Sequence, residues 1–284
     1  MTPLGPDDSV ARMERPPVPP QVRPQVYVIN LARSPDRLAF IAERLDRAGL
    51  KWRRVEAVDG RALGDPPWPD FDEFSFRYLW GMPPHANELG CYLSHHRAMQ
   101  AFLATDEPFA VILEDDAAVT EELREVMDDL VAHAGEWDIV KLESRHWGMP
   151  VTMRQLGKGR RLVAYTQRST GSTAYIVNRK AAAAYTRKLL PMRLPYDHAF
   201  DQVWRYGIRM RGVLPRPVHG GGFPSDIGYR TREAARRGFS RRVVAPFYRG
   251  QIEIARVLHY LIRDPVWLMW LVNTAKAKVH ERSA

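Results

Sequence analysis

The sequence predicts an α/β fold in which a layered, mainly parallel sheet is flanked by helices. Apolar runs of strand length alternate with segments of helical period through about residue 142, which is the pattern of such sheets. The run FAVIL at 109–113 is apolar throughout and is typical of a strand buried on both faces. With 284 residues, 45% of them hydrophobic and 26% charged, the chain can bury one substantial core.

The first predicted strand and helix lie near the N-terminus. The run VYVINL at 26–31 is β-branched and aromatic, and it predicts the first strand. Ser34 is expected to cap the helix that follows, with Pro35 at its first position. Gly49 is expected to end that helix. A second strand is predicted at 52–58.

The remaining elements are predicted with less regular spacing. The stretch 60–86 is rich in proline and aromatic residues without a clear period, which suggests a substrate-covering loop with short helical turns. Asn87 is expected to cap a helix that runs to about residue 104, and Thr120 to open another. Further strands are predicted at 137–142, 161–165 and 172–177, and a further helix at 179–190.

Three consecutive acidic residues, Glu114, Asp115 and Asp116, directly follow the apolar strand at 109–113. Ligands of parallel sheets collect at the carboxyl ends of strands, and three charges there are costly unless a positive partner answers them. A divalent cation that bridges to a phosphorylated substrate would do so. The alternative is that the acids favour the N-terminus of a following helix, but that helix is predicted to begin only at Thr120. A regular strand would turn Glu114 and Asp116 to one side and Asp115 to the other.

Cysteine content and leader segments limit the class of protein. A single cysteine, Cys91, excludes an intramolecular disulfide and a thiolate zinc cluster, and fits a reducing compartment. The N-terminus lacks a signal-peptide pattern, and no run approaches the ~18 apolar residues that span a bilayer. A cytoplasmic protein is therefore expected. The Walker, dinucleotide-binding and nucleophile-elbow motifs are absent from the sequence.

The two ends of the chain differ from its middle. Residues 1–24 hold seven prolines, which predicts a disordered arm. The net charge of +9 is concentrated at 230–284, where twelve Lys/Arg against four acids give +8. Trp267, Trp270 and Leu271 there share one helical face, as in amphipathic helices that lie on anionic membranes. Packing on the domain or on a second subunit is the alternative. Nucleic acid is disfavoured, because the Trp, Leu and Met content exceeds what phosphate binding needs.

Six short segments of the chain form an ordered set of motifs. They are YVINLARSPDR at 27–37, VEAVDG at 55–60, ELGCYLSH at 88–95, ILEDD at 112–116, PYD at 195–197 and SDI at 225–227. Taken together, these segments resemble glycosyltransferase family 25, the lipopolysaccharide and lipooligosaccharide biosynthesis enzymes, in which they occur in the same order. The resemblance covers about residues 25–228 and gives three predicted regions: the arm at 1–24, a catalytic domain at 25–228 and a basic helical tail at 229–284.

The resemblance implies a GT-A-like, Rossmann-like fold and a nucleotide-sugar donor, usually a UDP-hexose. It places Asn30 in the nucleotide pocket at the end of the first strand, with Arg33 and Arg37 near the base or phosphates. Arginine suits phosphate because its planar fork gives directional, permanently charged donors. The alternative for Arg37 is a solvated helix residue. His95 either lines the donor site or is a packed core histidine.

The resemblance also implies Mn²⁺ or Mg²⁺ at the acidic motif. Asp116, with Asp115 or Glu114, would hold a metal that bridges the two phosphates of the donor and neutralises charge on the departing nucleoside diphosphate. Which two acids coordinate the metal is left open. His219, before a glycine-rich stretch, is a weaker candidate ligand.

An inverting transfer needs a base that takes the proton of the acceptor hydroxyl. Asp197 and Asp201 are the candidates, since four-residue spacing would place both on one helical face. Asp197 is preferred because it falls on the family-like PYD segment, and Asp226 is the reserve.

The predicted function is transfer of a hexose, galactose or glucose, from a UDP-sugar to a lipopolysaccharide or other surface-glycan acceptor, oligosaccharide or lipid-linked. The enzyme would lie in the cytoplasm, with peripheral contact to the membrane through its tail. Two alternatives remain open at the level of sequence: a metal-dependent phosphoryl-transfer or hydrolytic enzyme, and a catalytically silent domain that binds glycans or a membrane assembly.

Overall fold

The computed structural model describes residues 22–144, 148–223, 240–268 and 271. Within these residues, eight strands form one sheet in the order β2-β1-β3-β8-β5-β9-β7-β6, and β10 and β4 form a small second sheet. The strands are β1 Gln25–Asn30, β2 Trp52–Glu56, β3 Phe109–Glu114, β4 Ala117–Val119, β5 Ile139–Lys141, β6 Pro150–Gln155, β7 Arg161–Tyr165, β8 Ala174–Asn178, β9 Met210–Leu214 and β10 Val218–Gly220. The helices are α1 Pro35–Arg47, α2 Glu73–Ser75, α3 Ala86–Leu103, α4 Leu123–Ala132, α5 Arg179–Lys188, α6 Tyr196–Phe200, α7 Val203–Tyr206 and α8 Ala245–Leu258.

The large sheet is mixed but mainly parallel. β1 runs parallel to both β2 and β3, and β5 runs parallel to β9. β8 lies antiparallel between β3 and β5, and β7 lies antiparallel between β9 and β6. β8 and β7 therefore run against the other strands. The predicted α/β class with a mainly parallel sheet is confirmed, and it matches a Rossmann-like GT-A fold.

Helices cover both faces of the sheet and bury two apolar cores. One core packs α3, α5 and α6 against Tyr27, Ile29 and Ile112, and the other packs α1 and α4 against Val28 and Val111. Alternate residues of β1 and β3 therefore enter opposite cores, as the side-chain alternation of a strand requires. The prediction that the apolar run at 109–113 is buried on both faces is confirmed.

Two of the predicted helix starts differ from those observed. α1 begins at Pro35 as predicted. α3 is capped by His85, whose ring nitrogen accepts from the backbone N–H of Asn87 at 3.2 Å, so the prediction that Asn87 is the cap is wrong. α4 begins three residues after Thr120, because the backbone N–H and hydroxyl of Thr120 both donate to Pro217 O. Thr120 thus continues the pairing of β4 instead of opening a helix.

Two glycines allow α3 to lie directly on the loop after β2. A Cβ at Gly60 would lie 2.5 Å from the backbone of Ala86, and one at Gly90 would lie 2.6 Å from the carbonyl oxygen of Val58. Real Cβ atoms do not approach so closely, so larger residues would push the helix away from β2. The segment between β2 and α3 contains short helical turns, Gly60–Ala62 and Phe76–Trp80, on either side of α2.

The described part of the C-terminal segment packs on the domain through buried ion pairs. Arg256 of α8, 2% exposed, pairs with Asp201 at 2.9 Å. Asp264 accepts two hydrogen bonds from Arg211 of β9, at 2.6 and 2.7 Å. Tyr260 joins a small apolar cluster with residues of β6 and β7. Packing on the domain, one alternative for the tail, is thus confirmed for this part.

The described residues include only part of the chain on which two predictions depend, the N-terminal arm and the lack of a membrane-spanning segment. Of the predicted arm at 1–24, residues 1–21 lie outside the described residues. Among the helices that the structure describes, none combines the length and apolar character required to cross a bilayer.

Removal of one partner of the buried pair Arg211–Asp264 should lower stability much more than removal of one partner of an exposed pair. Replacing Asp264→Ala leaves a buried guanidinium without its carboxylate, so the free energy of unfolding should fall by about 3–5 kcal/mol. The control Glu43→Ala removes an exposed i,i+4 pair with Arg47 and should cost at most about 0.5 kcal/mol. Urea denaturation followed by circular dichroism measures both. Equal losses in the two variants would contradict this assignment.

Candidate functional site

The acidic motif forms the turn between β3 and β4. β3 ends at Glu114, and Asp115 and Asp116 occupy the turn before Ala117. Because the strand ends at Glu114, the condition under which alternation would group Glu114 with Asp116 is not met. Arg37 contacts both Asp115 and Asp116, whereas Glu114 contacts His95.

Asp115 is a buried carboxylate with defined partners on both oxygens. It is 6% exposed; Asn30 Nδ2 donates to Oδ2 at 2.7 Å, and Arg37 lies 2.5 Å from Oδ1. The same Asn30 amide donates to Ser34 O, and its own oxygen accepts from Arg54 Nε at 3.0 Å. Burial raises the pKa of Asp115, although the Asn30 hydrogen bond and the Arg37 charge oppose the shift. Asp115 thus joins β1 and α1 to the turn.

Arg37 lies at the centre of this arrangement. Its guanidinium also reaches Asp116 Oδ2 at 3.2 Å and lies 5.5 Å from the centre of the Phe223 ring. The alternative that Arg37 is a solvated helix residue is therefore wrong. Arg33 forms an ion pair with Asp59, in the loop after β2, at 2.8 Å.

The glycine-rich stretch after β10 supports the acidic turn, which the sequence interpretation missed. The backbone N–H of Gly221 donates to Asp116 O at 2.7 Å. A Cβ at Gly221 would lie 2.7 Å from that oxygen and 2.9 Å from the Phe40 ring, so only glycine fits without a shift. His219, in β10, is exposed and pairs in register with Ala118, two residues after Asp116. The spacing of these glycines gave no signal of their partner, which is more than 100 residues away.

On the side of Glu114 the structure has a cleft of about 210 Å³. It is open to solvent, half-buried acids contribute to its wall, and it reaches from the start of α3 to α6. Residues of its wall are Trp80, Glu88, Cys91, Glu114, Asp197 and His198. Such a concave site with convergent polar groups is the usual form of a substrate pocket.

His95 is a packed histidine that positions Glu114. It is 1% exposed, and its ring stacks on Tyr196 with centroids 4.1 Å apart. Nδ1 lies 3.1 Å from the Tyr175 hydroxyl and Nε2 lies 3.3 Å from Glu114 Oε1. Ser172 Oγ donates to the same carboxylate oxygen at 3.2 Å. Of the two alternatives for His95, the core position is the one observed, and its contact with Glu114 links it to the cleft.

Two sets of side chains offer ligand atoms for a metal: one is Cys91, His95 and Glu114, and the other is the carboxylates of Glu114 and Asp116. Ligand atoms of Cys91, His95 and Glu114 lie within 4.8 Å of one another. Burial, with Glu114 and Asp197 nearby, raises the pKa of the Cys91 thiol well above its usual value, and a protonated thiol is a poor ligand. Hard cations prefer oxygen donors, which Glu114 and Asp116 supply, both only partly buried.

The two candidate bases have different environments. Asp197 is half-buried and lines the cleft. Asp201 is 4% exposed and pairs with Arg256 at 2.9 Å and Lys141 at 3.7 Å. Burial raises the pKa of Asp201, and the two cations oppose the shift. Asp201 caps the C-terminal end of α6 with helical backbone angles, and its backbone N–H donates to Asp197 O at 3.3 Å, so the four-residue spacing is helical as predicted. The two carboxylates nevertheless differ, because Asp201 is buried whereas Asp197 lines the cleft. The reserve candidate Asp226 lies outside the described residues.

Comparison with known proteins agrees with this geometry. The family described as "Glycosyltransferase family 25 (LPS biosynthesis protein)" matches residues 23–200. A "Glycosyltransferase 25 family member" of Aedes aegypti is 30% identical over 126 residues, 40% of this chain and 20% of that protein. A "Probable inactive glycosyltransferase 25 family member 3" of Rattus norvegicus is 31% identical over 147 residues, 46% of this chain and 25% of that protein. "Procollagen galactosyltransferase 2" of Mus musculus is 26% identical over 129 residues, 41% of this chain and 20% of that protein.

The matched region thus spans a fifth to a quarter of the length of these relatives. The family match covers more than half of this chain, from just before β1 through α6. It includes the acidic turn, Asn30, Arg37, His95 and Asp197. The chain belongs to glycosyltransferase family 25.

Proposed function

We propose that the protein is a metal-dependent, inverting glycosyltransferase. It moves a hexose, galactose or glucose, from a UDP-sugar to a lipopolysaccharide or other surface-glycan acceptor. The observation that carries this proposal is the acidic turn, fixed by Asn30 and Arg37 at the end of β3, with the cleft of Glu114 and Asp197 on its other side. Family membership supports the reaction class, and the name of the mouse relative supports galactose.

The residues of the turn fit a divalent cation such as Mn²⁺ or Mg²⁺. Asp116 and Glu114 offer partly exposed carboxylate oxygens, the donor type that hard cations take. Asp115 is the poorer ligand, since Asn30 and Arg37 engage its two oxygens. When bound, the cation would supply positive charge for the leaving nucleoside diphosphate. We assign Asp116 the main role in holding it.

The donor side of the site is built from β1 and α1. Asn30 and Arg37 hold the turn in one arrangement before any ligand arrives, which lowers the cost of ordering it during catalysis. Arg37 also carries a permanent charge next to the expected position of the phosphates. Arg33 lies in the loop between β1 and α1 and is assigned to the base or phosphates of the donor.

The acceptor side is the cleft, where Asp197 is assigned as the base. Its carboxylate takes the proton of the acceptor hydroxyl while the hydroxyl oxygen bonds to the anomeric carbon. The bond from that carbon to the phosphate oxygen breaks on the opposite face, and its electron pair leaves with UDP. Half-burial suits Asp197 to this work, because it remains reachable by an acceptor yet is partly shielded from water.

Calorimetric titration of the full chain with a panel of UDP-sugars, with Mn²⁺ and again with EDTA, tests the proposal. Metal-dependent binding of one or two sugars is expected, followed by transfer when an oligosaccharide acceptor is added. Metal-dependent release of phosphate without an acceptor would favour the hydrolytic alternative. Absence of binding across the panel would favour a silent domain, a possibility that the names of several relatives raise.

Asp116→Asn should abolish metal-dependent donor binding and reduce turnover by at least about 100-fold, because a metal ligand that supplies several kcal/mol is lost. The melting temperature should stay close to that of the parent, since Asp116 remains partly exposed. Asp106→Asn, an exposed aspartate before β3, is the matched control and should be unchanged. Normal turnover in Asp116→Asn would remove the metal assignment.

Asp197→Asn should retain donor binding but reduce kcat by about 10²–10⁴-fold, the usual contribution of a general base. Asp201→Asn provides the contrast. It should lower the stability by roughly 3 kcal/mol, because Arg256 loses its buried partner, while the folded fraction keeps its kcat. Parallel kinetics and thermal denaturation separate the two effects. If Asp201→Asn lost transfer in the folded state and Asp197→Asn did not, the roles would be reversed.

A further inference from the structure

The outer side of α8 carries an exposed apolar stripe. Phe247, Ile254, Leu258, Leu261 and Ile262 are each at least half exposed, and their spacing of seven, four and three or four residues places them on one helical face. We call these five residues the outer stripe. Trp267 and Leu268 extend the exposed apolar surface beyond the π-helical turn His259–Arg263. Scattered apolar residues are normal on a surface, but a continuous set marks an interaction site.

The inner side of the same helix contacts the rest of the domain. Arg256 is buried against Asp201, and its guanidinium lies 5.2 Å from the centre of the Trp204 ring. The guanidinium of Arg249 lies 5.8 Å from the centre of the Trp80 ring, and Trp80 forms part of the cleft wall. The outer stripe is therefore not the surface through which α8 contacts the domain. It remains exposed, whereas Ala245 and Arg256 of the same helix are buried.

The charge around the outer stripe is positive. In residues 240–268 and 271 the acidic residues are Glu253 and Asp264, and both are engaged in ion pairs, with Arg256 and Arg211. Arg242 and Arg263 are exposed. With +8 over 230–284, a symmetric contact between two copies would bring like charges together. An anionic surface has the complementary charge.

The geometry points to the outer stripe of α8 as a docking face for an anionic phospholipid bilayer. The apolar side chains enter the headgroup boundary, and the arginines contact lipid phosphates. The cleft wall is attached to the inner side of the same helix through Trp80, so docking holds the cleft beside the bilayer. This last step rests on the proposed function, since it brings a lipid-linked glycan acceptor to Asp197.

Sedimentation with vesicles tests the proposal on the full chain without a sugar donor, so the result does not depend on catalytic activity. The protein should sediment with vesicles of phosphatidylcholine and phosphatidylglycerol, and much less with phosphatidylcholine alone or at high salt. Phe247→Ser with Ile262→Ser should reduce the partition coefficient at least about tenfold. Both side chains are about 70% exposed, so the fold should be retained. Deletion of the tail is a poorer test, because it removes Arg256 from Asp201.

Matched controls isolate the stripe and its charge. Phe74→Ser, equally exposed but on α2, should leave vesicle binding unchanged. Arg263→Gln should reduce binding by about fivefold, whereas Arg53→Gln, an exposed arginine on β2, should not. Equal losses for Phe74→Ser and Phe247→Ser, or no binding to anionic vesicles, would overturn the proposal. A dimer in light scattering that Phe247→Ser dissociates, without vesicle binding, would assign the face to self-association instead.

Discussion

The buried carboxylate of Asp115 is the constraint around which the site is organised. A charge removed from water must be answered by hydrogen bonds or opposite charge, and here Asn30 and Arg37 answer it. These two residues come from the end of β1 and the first turn of α1. The contacts of one carboxylate therefore fix β1, α1 and the acidic turn relative to each other. Gly221 adds a fourth by bonding the carbonyl of Asp116. Contacts with β1, α1 and the segment after β10 therefore hold the turn in place without a substrate.

This constraint gives three neighbouring acids three different environments. Asp115 is the anchor and has both oxygens engaged. Asp116, next to it, shares Arg37 but remains partly exposed, which leaves it suited to bind a ligand. Glu114 contacts His95 and contributes to the wall of the cleft. A regular strand could not produce this division, since it would pair the first acid with the third. The turn thus gives the three acids different partners within three positions.

The sequence predicted those elements that depend on local residue patterns. The strand at 161–165 and the start of α1 at Pro35 were found in place, because periodicity and caps act within a few residues. The resemblance to the family located Asn30 and Arg37. Two outcomes that the sequence did not predict depend on a distant partner. Thr120 bonds to Pro217, and Asp201 is buried by Arg256, so neither outcome could be predicted from neighbouring residues.

The pair Asp201–Arg256 connects the site to the C-terminal helix α8. Because breaking a buried pair is costly, α8 is bound to α6, the helix that also carries Asp197 into the cleft. The same helix approaches Trp80 in the cleft wall through Arg249. The outer stripe is therefore joined to the acceptor side of the site through Asp201 and Trp80, whereas Asp115 of the acidic turn is held by Asn30 and Arg37. A surface that binds the outer stripe would hold the acceptor cleft beside it.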